Sequence, residues 1–360
     1  MKVGGQDTRA AWWSDEGVRY LDQRVLPGRV AIGLARTVEE VARAIETMAV
    51  RGAPLIGVVA AYGLALAARR GEAAEAAYAR LARTRPTAVN LWKGLDAVQA
   101  AGPGAQARLA AARAFDDAEV AAAEAIGRHG LALFRRGTRV LTQCNAGWLA
   151  VQDWGTALAP VYQAARAGLE PFVWVSETRP RLQGARLTAW ELGEEGVAHT
   201  LIADGAAAHL IQRGRVDLVL TGADRIAANG DAANKIGTYS RALAAQAHGV
   251  PFFIAAPRTT IDPATLTGAD IVIEERDPDE VLTVEGLDEA GKPARVRVAP
   301  AGTPALNPAF DVTPGALIAG IITEIGIVPA TAEGIAGSMS GAERTATPRT
   351  ASGSPPGQIR

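Results

Sequence analysis

From Gly137 onward the chain repeats one pattern, in which a short apolar run of β type is followed by a stretch of helical length and then by another such run. The runs are Arg139–Thr142, Phe172–Ser176, Thr200–Ala203, Val216–Thr221, Pro251–Ala255 and Ile271–Ile273. Strands separated by helical crossovers pair in parallel, with helices packed on both faces of the sheet. The first 125 residues read differently. Thr37 and Glu40 have capping-box spacing, which predicts a helix running to Val50 and stopping at Arg51-Gly52-Ala53-Pro54. A second apolar helix follows from Leu55 to Arg70, another break comes at Arg85-Pro86-Thr87, and Ala105 to Arg128 reads as one long helix. The predicted fold class is α/β, with a mainly helical N-terminal domain over residues 1–125 and a Rossmann-like parallel-sheet domain over residues 126–330. Residues 331–360, rich in Ser, Thr, Gly, Pro and Ala, have too little apolar surface to offset their ordering entropy and read as a disordered tail.

Ligands of open α/β sheets bind beyond the carboxyl ends of the strands, so residues just after the apolar runs are the first candidates. The segment VDLVLTGADRIAANGDAANKIGTY from Val216 delivers Asp224 at such an end. It then turns at Asn229-Gly230-Asp231 and reads as a helix opening with Asn234 and Lys235, a start whose free N–H groups suit phosphate. Asp224 follows an apolar strand and small neighbours. A carboxyl in so poorly solvated a crevice has its pKa raised and can act as a general acid near neutral pH. Cys144 ends another run, in VLTQCNAGWLA, ahead of a helical pattern; a lone cysteine is most often a small buried hydrophobe, whereas a helix start favours its thiolate. Arg51 beside Gly52 and Ala53 offers a guanidinium with close backbone approach, and Arg85 a second cation, although each also suits an ordinary helix break.

Exclusions narrow the class. A net charge of −1 gives no global attraction to nucleic acid or to an anionic membrane. No apolar run approaches the roughly 18 residues of a membrane span, and no signal-peptide core opens the chain. One cysteine and four histidines without ligand spacing imply neither a disulfide nor a metal site. Dinucleotide, Walker and serine-elbow motifs are missing. A cytoplasmic protein without metal or cofactor is expected.

Taken together, RGAPLIGVVAAYG from Arg51, RPTAVNL from Arg85, LTQCNAGWLA from Leu141, ETRPRLQGARLTAWEL from Glu177, GADRIAANGDAANKIGTY from Gly222 and NPAFDVTP from Asn307 resemble the methylthioribose-1-phosphate isomerase family, in the family's order. LDQRVLP from Leu21 is similar to its early motif. The resemblance implies an aldose–ketose isomerase of methionine salvage, working as a homodimer on a small sugar phosphate, with no cofactor. It implies Cys144 and Asp224 as the catalytic pair and Arg51, Gly52, Ala53, Arg85, Gln183, Asn234 and Lys235 around the substrate. The family commonly has His where this chain has Gln143. Phosphate on the anomeric oxygen blocks spontaneous ring opening, so an acid such as Asp224 must open the ring. Hydrogen then moves from C2 to C1, either as a proton carried by Cys144 or as a hydride that Cys144 shields. Two alternatives follow: an isomerase of another ribose 1-phosphate derivative (5-deoxyribose 1-phosphate or ribose 1,5-bisphosphate), or a non-catalytic sensor of sugar phosphates.

Overall fold

A computed structural model describes residues 1–85 and 88–340. Its central sheet has seven strands, ordered Gly326–Val328, Gly320–Thr323, Phe252–Ala255, Leu218–Thr221, Arg139–Thr142, Phe172–Ser176 and Ala198–Ile202. All neighbours are parallel except the Gly326–Val328 edge. Leu218–Thr221, Phe252–Ala255 and Gly320–Thr323 are buried throughout, as strands covered on both faces must be. The order reverses between Arg139–Thr142 and Leu218–Thr221: later strands are added outward on each side of this pair. Crossovers leave such a pair in opposite directions, which opens a crevice at its carboxyl end.

A second, four-stranded sheet of Ile261–Asp262, Arg225–Ala227, Ala232–Lys235 and Phe310–Thr313 starts four residues beyond Thr221. Here the expectation fails. Ala232–Lys235 is a strand rather than the opening of a helix, which begins only at Thr238. The cause is distant pairing, because Ala232–Lys235 is antiparallel to Phe310–Thr313 with Lys235 opposite Phe310, and sheet neighbours override weak local preference. Ile271–Ile273 joins no ladder; Ile271 packs on Ala227 and Ala233 instead.

The N-terminal part is not helical from its start. A three-stranded antiparallel sheet, Ala11–Ser14, Gly17–Leu21 and Ile32–Ala35, precedes the helices, with Trp13 opposite Val18 and Ala11 opposite Tyr20 across a tight turn. Five helices follow: α1 (Val38–Glu46), α2 (Ala53–Arg70), α3 (Ala74–Ala82), α4 (Val89–Gln99) and α5 (Ala105–Gly130). The capping box forms at α1, whose last helical residue is Glu46 rather than Val50. α2 is long and apolar enough to cross a membrane by composition, but 15 of its 18 residues are buried within the protein. Its Gly57 carbonyl lies 2.3 Å from where a Cβ on Gly94 of α4 would stand, so the two helices meet backbone to backbone. α5 runs through the expected boundary at residue 125 and packs on the Ala159–Arg166 helix and the Gly320–Thr323 strand. One apolar core accordingly joins residues from Met1 to Ile322.

The expected disordered tail begins with order. Thr331 caps a helix over Ala332–Met339, Ile335 is buried, and Arg258 Nη1 donates to Ser338 O at 3.1 Å. One inserted isoleucine and an N-cap suffice where a host surface is available. The remainder of that segment, from Gly341, lies outside the described residues, as do Pro86 and Thr87.

Candidate active site

Leu141 pairs with Val219, so the segments leaving these two strands emerge side by side, Cys144 from one and Asp224 from the other. Between them and the start of α2 lies a cleft open to solvent, with about 1050 Å³ of empty volume. All nine residues singled out from the sequence line it: Cys144, Asp224, Arg51, Gly52, Ala53, Arg85, Gln183, Asn234 and Lys235.

Cys144 has a left-handed backbone, φ 65°, which costs a non-glycine residue roughly 1–2 kcal/mol. Bonds on both sides impose it: Cys144 N–H donates to Thr178 Oγ1 at 2.8 Å, and Thr188 Oγ1 donates to Cys144 O at 2.7 Å. Thr178 is itself left-handed and is held by its N–H bond to Asp204 at 3.0 Å. The helix start expected beside Cys144 is absent; only a short 3-10 turn, Trp148–Ala150, follows. Gln143 turns away from the cleft and donates to Ile236 O at 2.8 Å.

Asp224 lies at the mouth of the second sheet, its N–H donating to Ala233 O at 2.9 Å. The cleft leaves it partly open to a ligand, but protein surrounds it. Burial pushes its carboxyl up, while Lys235, Arg51, Arg85 and Arg276 pull it down. The crevice is thus cationic as well as poorly solvated. Lys235 is 5% exposed and donates to Ala309 O at 2.8 Å, with its ammonium 4.5 Å from the Phe310 ring centre. Burial lowers its pKa to about 8, helped by Arg276 and opposed by Cys144 and Asp224. Asn234 Nδ2 donates to Thr238 Oγ1 at 2.9 Å.

The phosphate cradle expected at Gly230–Lys235 does not form. Asp231 accepts from Gly268 N and Gly315 N, at 2.9 and 2.8 Å, and so ties its turn to two other loops. The helix start that does face the cleft belongs to α2, with Gly52 at its N-cap and Ala53 first in the helix. Gly52 has φ 104°, and a Cβ there would stand 2.4 Å from Ala150 O, so glycine is required. The first N–H groups of a helix have no partner within it. Beside them Arg51 donates to Asn145, from Nη1 to Oδ1 at 2.6 Å and from Nη2 to the carbonyl at 2.9 Å. Arg85 Nη2 lies 3.5 Å from Glu274 Oε2, and its buried Nε has no partner among the described residues. Gln183 also carries a buried oxygen, Oε1, without one.

Among the lining residues not singled out from the sequence, two polar ones stand out. Asn145 receives Arg51, and Arg276, with 8% of its side chain exposed, pairs with Glu274 at 2.9 Å. A signal existed for the second, because Glu274-Glu275-Arg276 follows an apolar run just as the other site loops do. Among the described residues no group of three or more His, Cys, Asp or Glu is arranged to hold a metal ion.

Residues 49–330 match the initiation factor 2 subunit family. The chain is 50% identical over 357 residues to the methylthioribose-1-phosphate isomerase of Gluconobacter oxydans, covering 93% of this chain and 97% of that protein. Among solved structures it is similar to 5-methylthioribose 1-phosphate isomerase from Pyrococcus horikoshii (TM-score 0.83, 41% identity, 93% of this chain and 96% of that one). It is also similar to translation initiation factor eIF-2B, subunit delta, from A. fulgidus (TM-score 0.76, 40% identity, 90% and 96%).

Proposed function

The chain belongs to the methylthioribose-1-phosphate isomerases of the initiation factor 2 subunit family, and from that premise we propose that it converts 5-methylthioribose 1-phosphate to 5-methylthioribulose 1-phosphate, with Asp224 and Cys144 as its acid and base. One observation carries the chemical part of this reading. Cys144 and Asp224 leave adjacent strands at the reversal of the sheet and border one cleft whose cations suit a phosphate.

The substrate's phosphate would lie between the start of α2 with Arg51 on one side and Lys235 with Arg85 on the other. Charge-assisted bonds from guanidinium and ammonium groups are the strong class of hydrogen bond. Asp224, its carboxyl raised by burial, gives its proton to the ring oxygen as the C1–O bond breaks. Cys144 thiolate, facing the Lys235 charge, takes the proton from C2, forming an enol phosphate, and returns it to C1. The C2 hydroxyl proton goes back to Asp224 as the ketone forms, so both groups end as they began. General acid–base catalysis of this kind contributes about 10²–10⁴ in rate. The fixed cations supply further stabilisation wherever negative charge develops on the oxygens. The same reading has the enzyme act as a homodimer in the cytoplasm, within methionine salvage.

Turnover by the purified protein decides the matter. Methylthioribose 1-phosphate should be converted in preference to 5-deoxyribose 1-phosphate and ribose 1,5-bisphosphate. Cys144→Ser and Asp224→Asn should each lose nearly all turnover while melting as the wild type does and still binding substrate. Near-normal turnover in either folded variant removes that residue from the mechanism, and sedimentation as a monomer would remove the homodimer.

A further inference from the structure

Glu191 stands outside the cleft, and no step above uses it. It sits on the short helix Ala189–Glu194 with no exposed surface and accepts four hydrogen bonds. They come from Asn145 Nδ2 at 2.8 Å, Trp148 N at 2.9 Å, Tyr162 OH at 2.9 Å and Leu149 N at 3.1 Å. Burial raises its pKa to about 7 against the pull of these donors. A carboxylate so deeply buried is costly to hold, yet three of its four donors belong to one loop, Asn145 to Leu149, which directly follows Cys144. The fit is close: a Cβ on Gly147 would stand 1.7 Å from Glu191 Oε2.

Asn145 is engaged on both sides. Its Nδ2 faces Glu191, with Thr188 Oγ1 at 3.3 Å as a second acceptor, and its Oδ1 takes Arg51 Nη1 at 2.6 Å. A carboxylate accepts only, and a guanidinium donates only. Between the two, the amide has one workable orientation. Its oxygen must point at Arg51, a residue that comes from the other half of the protein. A neutral amide at position 191 would lose that polarity, because it could present either an oxygen or an NH₂ to Asn145. Asn145 could then turn its own NH₂ toward the guanidinium, donor against donor, and leave Arg51 with only its bond to the Asn145 carbonyl.

The geometry points to Glu191 as a positioning residue that fixes the Asn145 amide, so that Arg51 is held over the cleft in the orientation that grips the substrate's phosphate. This rests on the functional reading above only for the identity of the anion. Inorganic phosphate is therefore the probe, and the failure of one can be told from the failure of the other.

The experiment is a double-mutant cycle on phosphate affinity, measured by calorimetry on the full-length wild type, Glu191→Gln, Arg51→Met and the double variant. Glu191→Gln should weaken phosphate binding about tenfold and raise KM more than it lowers kcat. Arg51→Met should weaken binding at least as much, and adding Glu191→Gln to Arg51→Met should cost nothing more. Wild-type phosphate affinity in folded Glu191→Gln overturns the proposal. So do losses that multiply in the double variant, since a merely structural glutamate would act whether or not Arg51 were present. If Glu191→Gln does not fold, the same cycle with Glu191→Asp, which keeps the charge but withdraws it from Asn145, is judged by the same coupling. Coupling in a protein that turns over no sugar phosphate would count against the functional reading alone.

Discussion

At Lys235 two demands meet in one side chain: in the proposed site it carries charge toward a phosphate, and it is almost fully buried. Burial has lowered its pKa to about 8, from an ordinary value of 10.5. A lysine so depressed keeps its proton below about pH 8 and gives it up above, where the unfolded chain would still hold one. The charge available to an anion therefore declines across that range. Phosphate affinity of the wild type should fall as pH rises from about 7.5 to 9.5. Lys235→Met should bind phosphate more weakly at the lower pH, by about 1.5–3 kcal/mol for one lost charged hydrogen bond, and show a shallower dependence. Calorimetry at low salt reads both quantities, and equal affinities or parallel pH profiles would show that Lys235 does not meet the anion. Sequence spacing found Lys235 but gave the wrong reason for its place. The sequence pattern predicts that it opens a helix, whereas a strand paired with Phe310–Thr313 brings it to the cleft.

Among the elements, those specified by nearby residues were legible. Thr37 and Glu40 announced α1, and the apolar runs marked five of the seven central strands to within a residue or two; Ile271–Ile273 is no strand, and Gly320–Thr323 and Gly326–Val328 are not among the runs. With the parallel sheet came the rule about strand ends, and hence Cys144 and Asp224. What escaped depends on partners far along the chain. The strand at Ala232–Lys235 needs residues some 75 positions later, Asn145 owes its place to Arg51, and Arg276 is anchored by its N–H bond to Asn307 O at 3.0 Å. The helix at Ala332–Met339 shows the same cause, since its one large buried apolar side chain, Ile335, was too little to read as a pattern. That side chain is 2% exposed and packs in the core formed by the Val216–Ala256 strands and the Gly326–Val328 edge. Ile335→Ala should cost roughly 2–5 kcal/mol of stability, visible as an earlier denaturant midpoint. An unchanged midpoint would mean that the helix contributes nothing to the core.

The whole molecule is held across its two halves by polar contacts as well as by the common core. Asn90 Nδ2 on α4 donates to Thr259 Oγ1 at 3.0 Å, and Lys93 Nζ donates to the carbonyls of Arg258 and Ile261 at 3.2 and 3.1 Å. Glu119 on α5, bonded to the same Thr259, is 2% exposed, and burial raises its pKa to about 7 from 4.5. With the folded value above the unfolded one, its contribution to stability is fully present below about pH 4.5 and is lost as pH rises through about 7. Glu119→Gln resembles the neutral form at every pH. Its melting temperature relative to wild type should therefore rise between about pH 5 and pH 8, and a difference that stays constant over that interval would contradict the assignment. The cleft between these halves has a consequence for kinetics. The protein's net charge is only −1, yet Arg51, Arg85, Lys235 and Arg276 converge with the positive end of α2 on one low-dielectric opening. Field lines from such an array leave through the mouth, so a dianion is drawn in from beyond contact distance and capture outpaces unbiased diffusion. That advantage fades once salt shortens the screening length below the width of the mouth: ionic strength then governs how often substrate arrives, over and above how tightly it is held.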